Sequence, residues 1–138
     1  MNLRSFRIGS LAGIPVLINP SWFLLFGLTT WILATQFYPN ALEEASVWTH
    51  YAMAAFSVIL FFVSIILHEL AHSLVAKAYR IPVKSITLFV FGGVAQITRE
   101  AARPLHELFM AAAGPVSSLV LGAGFYGVWW LLGSQADR

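Results

Sequence analysis

Cysteine is absent from the chain, so neither disulfides nor thiolate metal ligands are available and composition says nothing about redox compartment. Charge is scarce as well. Asp, Glu, Lys and Arg together make up 10% of the residues, against about a quarter in soluble domains. With 59% hydrophobic residues in a chain of 138, a water-soluble core cannot absorb the apolar surface. A soluble class is thereby excluded, and the chain reads as one integral membrane domain. The net charge of +2 comes without a basic stripe, which removes nucleic acid from the partners. Residues 1–20 do not read as a secretory leader, because Gly9, Gly13, Pro15 and Asn19 interrupt the apolar run that would have to follow Arg4 and Arg7. No internal repeat or low-complexity tract is visible.

What is present centres on Tyr51 to Tyr79. From Tyr51 to Leu67 no residue is charged; His68, Glu69 and His72 then appear, and the apolar pattern resumes to Ala76. As a helix this stretch would run to ~43 Å, beyond the ~30 Å hydrocarbon core of a bilayer. Ionisable groups inside such a span oppose insertion and mark function by default. Their spacing is H-E-x-x-H. Histidines one turn apart differ by ~40° around a helix, so both imidazoles can address one ion. Glu69 sits ~100° round, off the ligand axis but within reach of a water at that ion. Two His ligands, an open position for water and a carboxylate base are the parts of a hydrolytic zinc site. Ser57, Ser64, Ala71 and Ala78 recur every seven residues near the histidines, a small face that admits a neighbouring helix.

Around this helix the chain reads in order. Residues 4–18 suggest two short strands about Ala12-Gly13, an edge hairpin at the membrane surface. Trp22 to Phe37 suggests a first span, with Pro20 at its start and Trp22 and Tyr38 at the two interfaces. Pro39 to His50 is a polar loop with Glu43 and Glu44 and no basic residue. Beyond the central helix come Lys77, Arg80, Lys84, Arg99 and Arg103, which by the positive-inside rule makes that side, and the N-terminus with Arg4 and Arg7, cytoplasmic. Val83 to Thr98 is β-branched and aromatic about Gly92-Gly93 and reads as a β-hairpin or re-entrant loop buried against the bundle. Leu105 to Gly133 suggests a third span. Within it Pro115 frees the carbonyl of Ala111, and Gly114, Ser118 and Gly122 form a small ridge to meet the small face of the central helix. The fold class expected is an α-helical integral membrane domain of about three transmembrane helices with a small membrane-associated β element.

The combination resembles the site-2 protease family of intramembrane zinc metalloproteases, prokaryotic type. The residues that carry the resemblance are His68-Glu69-Leu70-Ala71-His72, Phe91-Gly92-Gly93-Val94-Ala95-Gln96, Ala113-Gly114-Pro115 and the earlier Gly13-Ile14-Pro15. The resemblance implies zinc on His68 and His72, with Glu69 activating water, in a protease that cuts transmembrane segments of other proteins. Gly92, Gly93, Val94, Ala95 and Gln96 become the candidate substrate platform. There are two departures. Ser118 stands where the family commonly has Asn, three residues after the proline. The family's third zinc ligand is an aspartate in an Asp-Gly motif on a later helix, whereas the one aspartate here is Asp137. Across a helix as long as the third span, Asp137 is expected on the order of 40 Å from the histidines' end. Glu107 lies at about the right depth to substitute, although its place in the first helical turn also suits a structural role.

The third ligand is accordingly unknown. Residues 1–138 are expected to be the N-terminal portion of a longer protease, completed by downstream helices or a second copy, or else a shortened relative. The implied protein is a multi-pass membrane hydrolase with zinc as cofactor and a lipid bilayer and a transmembrane protein substrate as partners. Two other classes stay open: a relative that binds membrane segments without cutting them, and a haem-binding bundle using His72 and His106. His50 and His106 otherwise read as interfacial histidines.

Overall fold

The computed structural model describes residues 4–136. The chain runs β1 (Phe6–Leu11), β2 (Ile14–Ile18), α1 (Ser21–Ile32), a π-helical turn (Leu33–Phe37), α2 (Tyr38–Ala41), α3 (Val47–Ala78), β3 (Val83–Phe89), β4 (Gly92–Ile97) and α4 (Pro104–Ala136). Two helices, Val47–Ala78 and Pro104–Gly133, are long and apolar enough to cross a bilayer. Where the first span is expected, the helical run is longer than Trp22 to Phe37 and is not one regular helix: α1, the π turn and α2 abut from Ser21 to Ala41.

Local chemistry sets the ends of α3. Ser46 caps its start, its hydroxyl accepting from the Thr49 amide at 3.2 Å. At the other end Arg80 takes a left-handed conformation (φ 59°), and the Ile81 and Arg80 amides donate back to the Ala76 and Lys77 carbonyls, each at 2.9 Å. That paired closure is a Schellman cap, and Pro82 then prevents the helix from resuming.

Both hairpins anticipated from the sequence form, but they do not stay apart. β2 pairs in parallel with β3 (Val16 with Ile86, Ile18 with Leu88), making one four-stranded sheet of order β1-β2-β3-β4. The N-terminal hairpin is therefore not a separate surface feature; only β1 and β4 are edges. The second hairpin turns at Val90-Phe91, ahead of the two glycines, which open β4 instead. Gly92 is needed there for its φ of +120°. Gly93 is needed for space: a Cβ on it would lie 2.9 Å from Ile65 Cγ2 and 3.1 Å from Glu69 Cγ.

One face of the sheet, with Ile14, Val16, Ile86 and Leu88, is buried. Leu88 packs with Val58 and Phe62 of α3, and Trp22, Leu25 and Phe26 of α1 close over that cluster. The Trp22 ring meets Phe62 edge-on at 5.0 Å. The sheet thus runs alongside α3 from its basic end to the level of Phe62 and Ile65, past the H-E-x-x-H residues. The N-terminal hairpin is tied to that basic end by Lys77, whose Nζ donates to the Ala12 carbonyl at 2.6 Å. Of the small face of α3, Ser57 meets α2, through a 2.6 Å hydrogen bond with the Tyr38 hydroxyl. The small ridge of α4 is shorter than expected. Gly114 and Ser118 reach α3, but nothing lies within 4 Å of a Cβ placed on Gly122.

Candidate metal centre

His68 and His72 project from one side of α3 toward α4, as their four-residue spacing requires. Their Nε2 atoms stand 3.1 Å apart, with the rings edge to face at 4.8 Å between centroids. Each ring is oriented from behind. His72 Nδ1 donates to the Met110 carbonyl at 2.6 Å, and His68 Nδ1 is 2.8 Å from the Ser118 hydroxyl. Both partners lie on α4, one on either side of Gly114-Pro115. The carbonyl that His72 takes is Met110's, one residue before the Ala111 carbonyl that Pro115 cannot bond.

Gly114 is what lets α4 come so close. A Cβ there would fall 2.5 Å from His68 Nε2 and closer still to His72 Nε2. Any larger residue would occupy the space between the imidazoles and the helix backbone. Gly114 is itself buried.

Glu69 is turned elsewhere. Its Oε2 accepts the Ala95 amide of β4 at 3.2 Å. Beside it a cleft of about 370 Å³ is lined by His68, Glu69, Ser118, Phe91, Gly92 and Gly93, among others. Of the expected substrate platform, Gly92 and Gly93 border this cleft and Ala95 holds Glu69. Val94 (45% exposed) and Gln96 lie on the side of the strand opposite Gly93 and Ala95, are exposed, and are not part of its lining.

A zinc ion fits the pair. Two nitrogens each ~2.0–2.1 Å from one tetrahedral ion stand ~3.3 Å apart, close to the observed separation. Both Nδ1 atoms have outer partners, the usual way a ligating imidazole is aimed. No third ligand joins them: among the described residues no group of three or more His, Cys, Asp or Glu could hold a metal. Glu107 borders a different groove, with Thr98, Arg99 and Glu100. Asp137 lies outside the described residues.

The other histidines are engaged apart from this pair. His50 is buried, with Nε2 3.0 Å from the Leu42 carbonyl, and His106 lies flat on Tyr79 at 3.9 Å. Sequence reasoning missed the roles of Met110 and Ser118 behind the imidazoles. Pro115 was a near signal for the first, and for the second the place Ser118 takes after Gly114-Pro115 was the only clue.

Residues 56–135 match the model of peptidase family M50. The chain belongs to that family. Among curated relatives it is 44% identical over 121 residues to a candidate zinc metalloprotease of Synechocystis, covering 88% of this chain and 31% of the relative. It is 34% identical over 118 residues to a zinc metalloprotease of Methanocaldococcus jannaschii, covering 86% of this chain and 30% of the relative. The solved site-2 protease from that organism superposes with a TM-score of 0.64 at 29% identity, over 91% of this chain and 51% of the other. This M50 chain thus spans about a third of the length of the curated relatives it matches.

Proposed function

We propose that this M50 chain carries the zinc-binding and proton-transfer half of an intramembrane metalloendopeptidase, which hydrolyses a peptide bond in or near a transmembrane segment. The observation that carries the reading is the convergence of His68 and His72 Nε2 at 3.1 Å on an apolar helix, while Glu69 is held to one side by a sheet edge. His68 and His72 would hold zinc, which when bound supplies Lewis acidity toward a carbonyl and toward water. Ala95 engages Oε2 of Glu69, leaving Oε1 to take a proton from the attacking water and pass it to the departing amide nitrogen. The third ligand is proposed to come from outside the described residues.

A peptide bond inside a helix is protected by its own hydrogen bonds, so the substrate must unwind before attack and then needs new backbone partners. β4 is an edge strand beside the cleft, which supports capture of an extended segment by strand addition at its Gly92-Gly93 end, short of the Ala95 amide that Glu69 holds. We further read the abutting helical segments from Ser21 to Ala41 as a third span and the N-terminus as cytoplasmic. Lys77, Arg80, Lys84, Arg99 and Arg103 gather at the end of α3 to which Lys77 ties the N-terminal hairpin, which supports that orientation.

The lack of a third ligand among the described residues favours one rival, a relative that captures membrane segments without cutting them. Metal analysis and cleavage of a transmembrane substrate by the full reading frame decide between them. Zinc at one equivalent with cleavage supports the protease; zinc-free protein that binds substrate intact overturns it. The same assays on residues 1–138 alone should find weak zinc binding and no cleavage.

A further inference from the structure

The cleft beside Glu69 extends to one side of the site. Its lining on α3 starts at Phe61 and stops at Glu69, so it runs toward the Val47 end of the helix and away from the basic end. The seven residues from Phe61 to His68 cover ~11 Å of helix, the length of about three residues of extended chain. Its walls are apolar where they leave the site. Phe61 and Ile65 come from α3 and Phe91 from the hairpin turn, and none of the three can hydrogen-bond an entering polar side chain. The hydroxyls in the lining are engaged: Ser64 donates to the Leu60 carbonyl at 2.9 Å, and Ser118 is bonded to His68. The two aromatic walls are held differently. Phe61 packs edge-on against the buried Phe62, at 5.6 Å between centroids. Phe91 is 89% exposed, on a turn that is itself fixed, since the Val90 amide donates to the Ser21 hydroxyl at 3.2 Å. One wall is therefore set, and the other ring has room to fold onto an occupant.

We propose that Phe61 and Phe91, together with Ile65, set substrate specificity by gripping one large apolar side chain of the substrate. That side chain, Leu or Phe in size, lies within three residues of the cleaved bond, on the side leading to the Val47 end of α3. At about 370 Å³ the cleft is near the lower end of the ~300–1,000 Å³ usual for small-molecule sites, room for one bulky side chain and the backbone that carries it. In a bilayer an apolar side chain gains little by moving from lipid to an apolar cleft, so selection here works through packing and shape. A small residue leaves the space between the rings part-filled, and a polar one loses its partners. The proposal rests on the protease reading above, and adds to it a side-chain preference and the side of the bond on which it falls.

The test reconstitutes the full reading frame with single-span peptides in which each position near the cut is varied through Ala, Leu, Phe and Trp, with cut sites read by mass spectrometry. At one position on the Val47 side, wild type is expected to favour Leu or Phe over Ala by ~10-fold or more in kcat/KM. Phe61→Ala should move the optimum to Trp and Phe61→Trp should move it toward Ala, with zinc content unchanged in both. Phe61 is more than half exposed, so neither change disturbs a buried core. Phe91→Ala should lower cleavage of the Leu peptide ~10-fold and of the Ala peptide far less. Identical preferences in wild type and both Phe61 variants overturn the proposal, as does a preference confined to the other side of the bond. If Glu69→Gln still abolishes that cleavage, the protease reading survives the loss. A wild type that cuts no peptide overturns the protease reading, and this proposal with it.

Discussion

The histidines and the glutamate of one short helical stretch answer to different neighbours. α4 orients His68 and His72 through Ser118 and Met110 and approaches them at Gly114. The edge of β4 holds Glu69 through Ala95 and approaches it at Gly93. In each case a glycine opens the contact and a polar group nearby completes it. The proposed metal-binding and proton-transfer functions thus depend on separate elements, although the residues assigned to them are sequence neighbours. A perturbation of α4 should reach zinc first, and one of β4 should reach the chemistry first.

The largest effect expected separates the two without touching either neighbour. Glu69→Gln keeps size and should keep zinc, while peptide cleavage by the full reading frame falls ~10²–10⁴-fold. Cleavage within about tenfold of wild type would take Glu69 out of proton transfer.

Gly114→Ala attacks the α4 side. The added methyl overlaps both imidazoles, so zinc affinity should drop ~100-fold, at the upper end of what outer contacts contribute. Circular dichroism should still report a helical protein. Unchanged affinity by chelator competition would mean that α4 is not seated on the histidines.

Ala95→Pro attacks the β4 side. Proline is tolerated on an edge strand where the lost N–H points away from the ladder, and here that N–H serves Glu69. Loss of one hydrogen bond to a charged group, ~1.5–3 kcal/mol, should slow cleavage by roughly 10–100-fold with zinc retained. Normal cleavage would reduce β4 to a connector.

The smallest effect lies away from both. Tyr38→Phe removes the hydroxyl bonded to Ser57 and should cost ~0.6 kcal/mol of stability in a membrane environment, with zinc and cleavage unchanged. A loss of activity there would mean that α2 and the π turn before it communicate with the site.

Much of this was legible in the residues because it is local. The spacing of His68 and His72 decides a shared face on any helix, and Pro82 bounds that helix at its end. Its start was not legible, since α3 begins at Val47, capped by Ser46, inside the stretch Pro39 to His50 that reads as loop. Ala12-Gly13 with positive φ marks the first hairpin. The two glycines of the second hairpin misled in position, since glycine serves a tight turn and a close approach equally well. Gly93 proved to be the second kind. The π turn at Leu33–Phe37 has no residue pattern that distinguishes it from ordinary helix.

By itself, then, the sequence determined a mostly helical class with a small β element, the two long apolar helices, both hairpins and the shared face of His68 and His72 on α3, because hydropathy, turn chemistry and helical period act within a few residues. Only the tertiary structure decided that the hairpins join through parallel β2 and β3, and that Gly114 clears the space over the imidazoles. The same holds for the partners of the site: Met110 and Ser118 for the histidines, Ala95 for Glu69. Those are contacts between segments 26 to 50 residues apart, and no local periodicity specifies which polar group will arrive at hydrogen-bond distance once the helices and the sheet have packed.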